Sequence, residues 1–323
     1  MGTVINSAAL GALTVLRGVN KDLEKVQEQS SSALRVETAA DDPSYWSMAT
    51  TMRSDSSSLS TIGDAMGLGE SKVDTASTAM DSVVKTLSSI QDILVSAQEA
   101  GADKTALNTT LQQLKGSLQT TSQSASVAGE NWLYNTEQEP DLTKSVISGF
   151  TRGTGGQVYL QSVKYDGSQS LMIDTADPSR GLLTKNIDAN LINSDGTSTA
   201  RNYYLLSAGT GAAPAGGTEV ALSSTTTSQQ LSDMLDVVNK MLASATSADS
   251  TMGVMQSRLT QQSTFISDLA DTLKTTIGSL VDTNQEEASA RITALTTAQQ
   301  MGVQSLSIAN TMASKLLILL QHG

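Results

Sequence analysis

Both ends of this chain carry the same seven-residue repeat, and a repeat of that kind leaves few folds open. From the N-terminus, small and apolar residues fall at Ile5, Ala9, Ala12, Leu16, Val19, Leu23, Val26 and Ala33, in steps of four and three interrupted by Ser30. The C-terminal series runs Ile292, Leu295, Gly302, Leu306, Ala309, Ala313, Leu316 and Leu320, with Gln299 filling one position. Such spacing lays one stripe along one side of a helix, and the stripe needs a second helix to cover it. Many of these residues are Ala or Gly and bury little area each, so an isolated pair is marginal in water. Its stability is expected to come from neighbouring chains.

Composition supports helix-on-helix packing. Aromatic residues make up only 3% of the 323 positions, so any core is built from Ala, Leu, Val, Ile and Met. The net charge of -12 argues against nucleic-acid binding, which needs clustered Lys and Arg. Its distribution is informative. In residues 1–40, Arg17, Lys21, Lys25 and Arg35 balance Asp22, Glu24, Glu28 and Glu37; in 285–323, Arg291 and Lys315 balance Glu286 and Glu287. The excess acid therefore lies in the middle, which suggests neutral ends made for packing and an acidic centre facing water. There is no cysteine, which excludes disulfides, thiolate metal sites and a cysteine nucleophile. Met1 to Asn20 lacks the basic start and continuous apolar run of a Sec-type signal, and no stretch reaches the roughly 18 apolar residues of a membrane span. An exported chain of this kind needs a route that reads no cleaved signal.

Between the ends the pattern shifts twice. Helical stripes run through Met80, Val83, Leu87, Ile90, Leu94 and Ala97, then Leu107, Leu111, Leu114, Leu118 and Ala125, with Gly101 as a stop between two antiparallel helices. From about 136 to 228 Gly, Ser and Thr dominate, and short alternating runs at 158–165, 170–173, 202–206 and 219–222 read as strands. Asp166-Gly167 reads as a hairpin turn, with further turns at Asp195-Gly196 and Gly216-Gly217. A helical pattern returns at Leu231, Leu235, Val238 and Leu242 and resumes from Met255 to Leu280. The expected fold is mainly α, with long terminal helices in coiled-coil and bundle layers and a central β-rich insert.

Local constellations favour structural roles. Asp41-Asp42 before Pro43 reads more simply as a turn and helix cap than as a metal or acid pair. Glu286-Glu287 suits the positive end of a helix. His322 is the penultimate residue and has no partners for base chemistry; Gly153, Gly155 and Gly156 lack the lysine and helix of a phosphate loop. Trp46 and Trp132 read as packing anchors. No constellation suggests an enzyme, a cofactor or a metal.

Residues 30–49, SSSALRVETAADDPSYWSMA, resemble the signature of bacterial flagellins through Ser31, Ser32, Leu34, Arg35, Ala40, Asp41 and Asp42. The segment from Gln285 to Leu320 resembles the flagellin C-terminal helix through Gln299, Gln300, Ser305, Leu306, Ala309 and Asn310. After Asp42 the run Pro43 to Met48 departs from the Ala, Gly and Leu of many members and looks closer to flagellins of alphaproteobacterial, rhizobial-type soil bacteria. The resemblance implies a non-enzymatic subunit of the extracellular flagellar filament, exported through the type III apparatus, that polymerises for swimming motility.

It also implies three layers: residues 1–35 and 285–323 as an inner coiled coil lining the channel, 36–135 and 229–284 as a helical rod, and 136–228 as a variable surface domain. The expected polymerisation residues are Ile5, Ala9, Ala12, Leu16, Val19, Leu23, Val26, Leu34, Arg35, Ile292, Leu295, Leu306, Ala309, Asn310, Ala313, Leu316 and Leu320. Expected partners are further copies of the chain, sister flagellins, an export chaperone, and cap and hook-associated junction proteins, with no nucleic acid or membrane. Where receptor-activating flagellins carry an Arg, this chain has Ser89, which implies weak recognition by the vertebrate innate-immune receptor. The alternatives are a low-copy hook-filament junction protein and a secreted hydrolase or adhesin using the insert; for the latter the sequence offers only Ser/Thr-rich surface.

Overall fold

The computed structural model describes residues 7–153, 157–193, 200–207, 214 and 216–321. The chain forms two compact units, one made of Met1–Ser58 with Leu269–Gly323 and the other of Leu59–Asp268.

In the terminal unit, helix α1 (Ser7–Ser32) pairs with helix α6 (Gln285–Gln321). Three contacts fix an antiparallel register: Ser30 lies against Gln285, Asn20 against Gln299 and Leu16 against Gly302. Ala9, Ala12, Leu16, Val19 and Leu23 are half-buried on α1 and Val26 is buried. On α6 the half-buried series is Ile292, Leu295, Gly302, Leu306 and Ala309. These are the stripes of the sequence repeat. The polar interruptions are satisfied across the seam. The Gln299 amide donates to Asn20 Oδ1 at 2.7 Å, Ser30 Oγ donates to Gln285 Oε1 at 3.0 Å, and Gln285 Nε2 donates to the Ser30 carbonyl at 3.1 Å.

Helix α1 ends one residue before the last position of its repeat. Ala33 is not a seam position: it adopts φ 59°, a left-handed conformation that terminates α1. The chain then pairs with the segment before α6. Arg35 and Val36 amides both donate to the Val281 carbonyl, and the Thr283 amide donates to the Ala33 carbonyl at 2.8 Å. Val36, Ala49 and Val281 form a small core beneath this corner, packed by Leu34, Ile277 and Leu280. Asp42 caps helix α2 (Pro43–Ser96), its Oδ1 accepting from the Ser44 and Tyr45 amides at 3.0 and 3.1 Å, with Pro43 in the first helical position. Asn284 caps α6 in the same way, and Glu286 and Glu287 occupy its first turn, where the helix dipole favours negative charge.

The second unit is built on α2, α3 (Lys104–Ser124) and α5 (Ser228–Val281), which share one core. Asp103 caps α3 after a reversal in which Gly101 takes φ 89°. Within this unit α2 and α5 run antiparallel, with Ser77 Oγ donating to Asp249 and Gln256 to Asp74. The helix through 231–280 has no break: the Ser- and Thr-rich stretch between Leu242 and Met255 stays helical, with Ala245, Ala248 and Met252 buried.

Short strands decorate the bundle. Strands β1 (Ser126–Val127) and β2 (Glu130–Asn131) form a tight antiparallel turn, and β3 (Tyr134–Asn135) pairs in parallel with β6 (Ile173–Asp174). The long hairpin joins β4 (Thr143–Arg152) to β5 (Val158–Asp166), with a register shift between Ile147 and Gly149. Asp166-Gly167 is therefore not a hairpin turn. Asp166 instead caps a 3-10 turn at Gly167–Gln169, and the hairpin reverses near Gly153, whose amide donates to the Gln157 carbonyl. The hairpin lies directly on α2, where a Cβ on Gly69 would sit 2.0 Å from Val146 Cγ1.

The remaining elements are β7 (Ile187–Asp188), the short helix α4 (Ala189–Ile192), β8 (Asn202–Tyr204) and β9 (Thr218–Glu219), with β8 central in a three-stranded sheet. Asp195-Gly196 lies outside the described residues; Gly216 takes φ 77° in a turn closed by the Gly217 amide donating to Pro214. Trp132 is buried and stacks on Tyr165 at 5.5 Å, in the β2–β3 turn rather than on a helix. Lys115 of α3 is 3% exposed; it pairs with Glu219 and donates to the Val220 carbonyl at 3.0 Å, pinning the insert to the bundle.

Candidate subunit interface

The α1–α6 pair covers only one side of α6. At 3.6 residues per turn, Ala290, Ala294, Met301, Ile308 and Met312 form a second stripe about 130° round the helix from the seam. No described residue of the terminal unit covers it: Met301, Ile308 and Met312 are 56 to 62% exposed, and Ala290 and Ala294 are exposed as well. Val303 on α6 and Leu10 and Val15 on α1 are also more than half exposed. Scattered exposed Leu or Val is ordinary, but a periodic row of Met and Ile along one helix is a surface made for burial. Each such side chain contributes about 1.5–3 kcal/mol when fully removed from water.

A second apolar patch sits at the start of α2. Tyr45, Trp46 and Met48 are exposed, Trp46 at 36%, so Trp46 is not a packing anchor within the chain. The Arg35 guanidinium lies over the Tyr45 ring at 5.4 Å to the centroid and donates to the Leu280 carbonyl at 2.6 Å. The turn before this patch is held by Asp41, which accepts from the Thr38 amide and hydroxyl at 3.0 and 3.1 Å. Those hydrogen bonds hold the Asp41 carboxyl below its ordinary range. Asp41 and Asp42 are thus turn and cap residues.

The expected interface residues divide accordingly. Ala9, Ala12, Leu16, Val19, Leu23, Val26, Ile292, Leu295, Leu306 and Ala309 lie on the faces that α1 and α6 turn toward each other. Leu34 packs on the corner core, while Arg35 and Asn310 are exposed. Ile5 and the side chains of Ala313, Leu316 and Leu320 lie outside the described residues. Sequence reasoning missed the outward stripe, although its spacing of four, seven, seven and four was available. The seam on the same helix is as apolar, and the two repeats mask each other. Among the described residues no three His, Asp or Glu converge to hold a metal ion, and no helix is long and apolar enough to cross a membrane.

The comparisons with known proteins cover both helical flanks. Residues 5–138 match the bacterial flagellin N-terminal helical region, and residues 235–320 match the bacterial flagellin C-terminal helical region. The chain is 47% identical over 317 residues to Flagellin C of Rhizobium meliloti (strain 1021), spanning 98% of each chain. It is 32% identical over 387 residues to Flagellin A of Rhizobium meliloti, with 97% of this chain and 98% of that protein covered. A flagellin of Brucella melitensis is 31% identical over 97% of both chains.

Proposed function

The chain belongs to the bacterial flagellin family and is a structural, non-enzymatic subunit of the extracellular flagellar filament, and from that premise we propose how it polymerises. The terminal helices join through their seam into one amphipathic unit, whose outward stripe of Met301, Ile308 and Met312 is buried by neighbouring copies. Leu10, Val15 and the Tyr45–Trp46–Met48 patch are further exposed apolar groups open to neighbouring copies. Contacts between unlike faces whose rotation does not close a ring propagate as a helical fibre. The exposed stripe carries this reading, because among the described residues no intrachain packing accounts for it.

In this arrangement residues 1–35 and 285–323 form the inner coiled coil lining the channel, 36–135 and 229–284 the rod, and 136–228 the outer surface domain. Ile5, Ala313, Leu316 and Leu320 continue the two seam repeats in sequence and belong to the same proposed set of polymerisation residues. Before assembly the exposed apolar row needs cover, a task suited to an export chaperone; type III export then delivers the chain to cap and hook-associated junction proteins at the growing end. Sister flagellins sharing the seam pattern enter the same lattice. No observation favours a low-copy junction role. Seeded growth of an Ile308→Gln, Met312→Gln variant tests the surface. Elongation is expected to fail while the Leu59–Asp268 unit melts as in the parent; normal elongation would remove the stripe from the interface.

A further inference from the structure

Helix α6 presents two apolar stripes of similar content: Ile292, Leu295, Gly302, Leu306 and Ala309 toward α1, and Ala290, Ala294, Met301, Ile308 and Met312 away from it. Hydrophobic burial is non-directional and scales with area, so it hardly distinguishes the two. Turned by about 130°, α6 would bury two methionines and an isoleucine against α1 and hide the outward stripe. The seam as it stands is the less bulky choice over its outer half, where Gly302 and Ala309 flank Leu306.

Two polar pairs distinguish the faces. Gln299 donates to Asn20 at 2.7 Å, and Ser30 and Gln285 exchange two hydrogen bonds at 3.0 and 3.1 Å, about three turns of α1 apart. Neither set survives rotation of α6, because both glutamines lie on its seam side. A polar pair at a coiled-coil seam stabilises little but favours the one pairing in which its two members meet, and here Asn20 and Gln285 are exposed, so that preference is the hydrogen bonds themselves. The backbone corner at Leu34 and Asp282 fixes where the pair begins, and the two side-chain pairs act farther along the seam.

We propose that the Asn20–Gln299 and Ser30–Gln285 pairs are positioning residues that select the rotational phase of α6 and so keep its second apolar stripe outward for neighbouring subunits. This rests on the stripe being the polymerisation surface proposed above. The pairs act through orientation, by favouring one pairing of α1 and α6 over the rotated one.

The native chain has no cysteine, so engineered disulfides report phase directly. In the native phase Leu16 Cβ lies 3.8 Å from a Cβ built on Gly302, within the span of a disulfide. Leu16→Cys with Gly302→Cys therefore reports the native phase, and Ala9→Cys with Ile308→Cys the rotated one. Each pair is placed in the parent, in Asn20→Leu/Gln299→Leu/Gln285→Leu, and in the exchange variant Asn20→Gln/Gln299→Asn. All are copolymerised as minor components with parent chains on filament seeds, and oxidation products within one chain are separated by gel mobility. The apolar variant is expected to gain the rotated-phase disulfide and to elongate alone about tenfold more slowly than the parent. The exchange variant should restore both readouts.

If the apolar variant links only through the native pair, phase selection is overturned, however fast it grows. If it rotates yet elongates normally, the pairs do select phase and the outward stripe is not the polymerisation surface. Should the apolar variant not incorporate, the exchange variant decides: growth and linking as in the parent support the proposal, and their loss overturns it.

Discussion

Removing the exposed partner of the Lys115–Glu219 pair should damage the protein more than removing the buried one. Lys115 is 3% exposed and Glu219 40% exposed, so the lysine has given up nearly all of its water and the glutamate little over half. Breaking a buried pair from one side typically costs about 3–5 kcal/mol, because a buried charge is stranded. Solvent reaching Glu219 screens part of the attraction, which places Glu219→Ala nearer 2–3 kcal/mol of destabilisation by the same reasoning. Lys115→Met removes the charge together with its desolvation penalty and loses one hydrogen bond to the Val220 carbonyl, so it should lie within about 1 kcal/mol of the parent.

The pH dependence carries the same sign. Burial pushes the Lys115 ammonium below its ordinary range, against the opposing pull of Glu219. The unfolded chain therefore binds the proton more tightly, and the unit gains stability as pH rises from the folded value toward 10.5. Without Glu219 the folded value drops further and the window widens. Urea titrations followed through Trp132, the sole tryptophan left in a Trp46→Phe background, read this unit alone. Glu219→Ala should recover stability as pH climbs, and Lys115→Met should not. Equal losses in both variants, or none in Glu219→Ala, would refute the reasoning.

Further outcomes follow from other groups. Asp42→Ala removes the cap of α2 and should cost the terminal unit about 1 kcal/mol, seen as lost helical signal on heating filaments. Burial, then the nearby Asp81 carboxylate, holds the Asp249 carboxyl above its ordinary value of 3.8. A carboxyl raised on folding stabilises below its unfolded value and loses that contribution as pH rises through the folded value, so Asp249→Asn should flatten this decline and raise urea resistance at neutral pH. Ser89 is exposed on α2, its hydroxyl donating to the Lys85 carbonyl, so purified monomer should activate a vertebrate receptor reporter weakly; full-strength activation would contradict that expectation.

Periodicity made the helices legible and also set the limit of what could be read. The α1 and α6 seams, the α2 stripe from Met80 to Ala97 and the α3 stripe from Leu107 to Ala125 stand at helical spacing among polar residues, so their buried faces were readable directly. The gap in α5 was illusory because Ala245 and Ala248 bury small side chains that give little contrast. Strand β4 was missed because Thr143–Arg152 mixes polar and apolar residues over a bulge, and its partner β5 was given the wrong turn in consequence. The two-residue strand β3 exists through the surrounding packing and has no local signal. Trp46 looked like an anchor by size alone, whereas its place on the first turn of α2 leaves it exposed.

On the proposed mechanism, copies of this chain bury the outward face of the paired termini as the filament grows. Negative-stain electron microscopy after adding short filament seeds to purified chain, beside a chain lacking residues 1–35, tests that claim most directly. Without α1 the seam of α6 has no partner and the presented surface is lost. The full chain should extend the seeds into long fibres of uniform width while the truncated chain stays monomeric with its Leu59–Asp268 unit folded. Fibres from the truncated chain indistinguishable from those of the full chain would contradict the account.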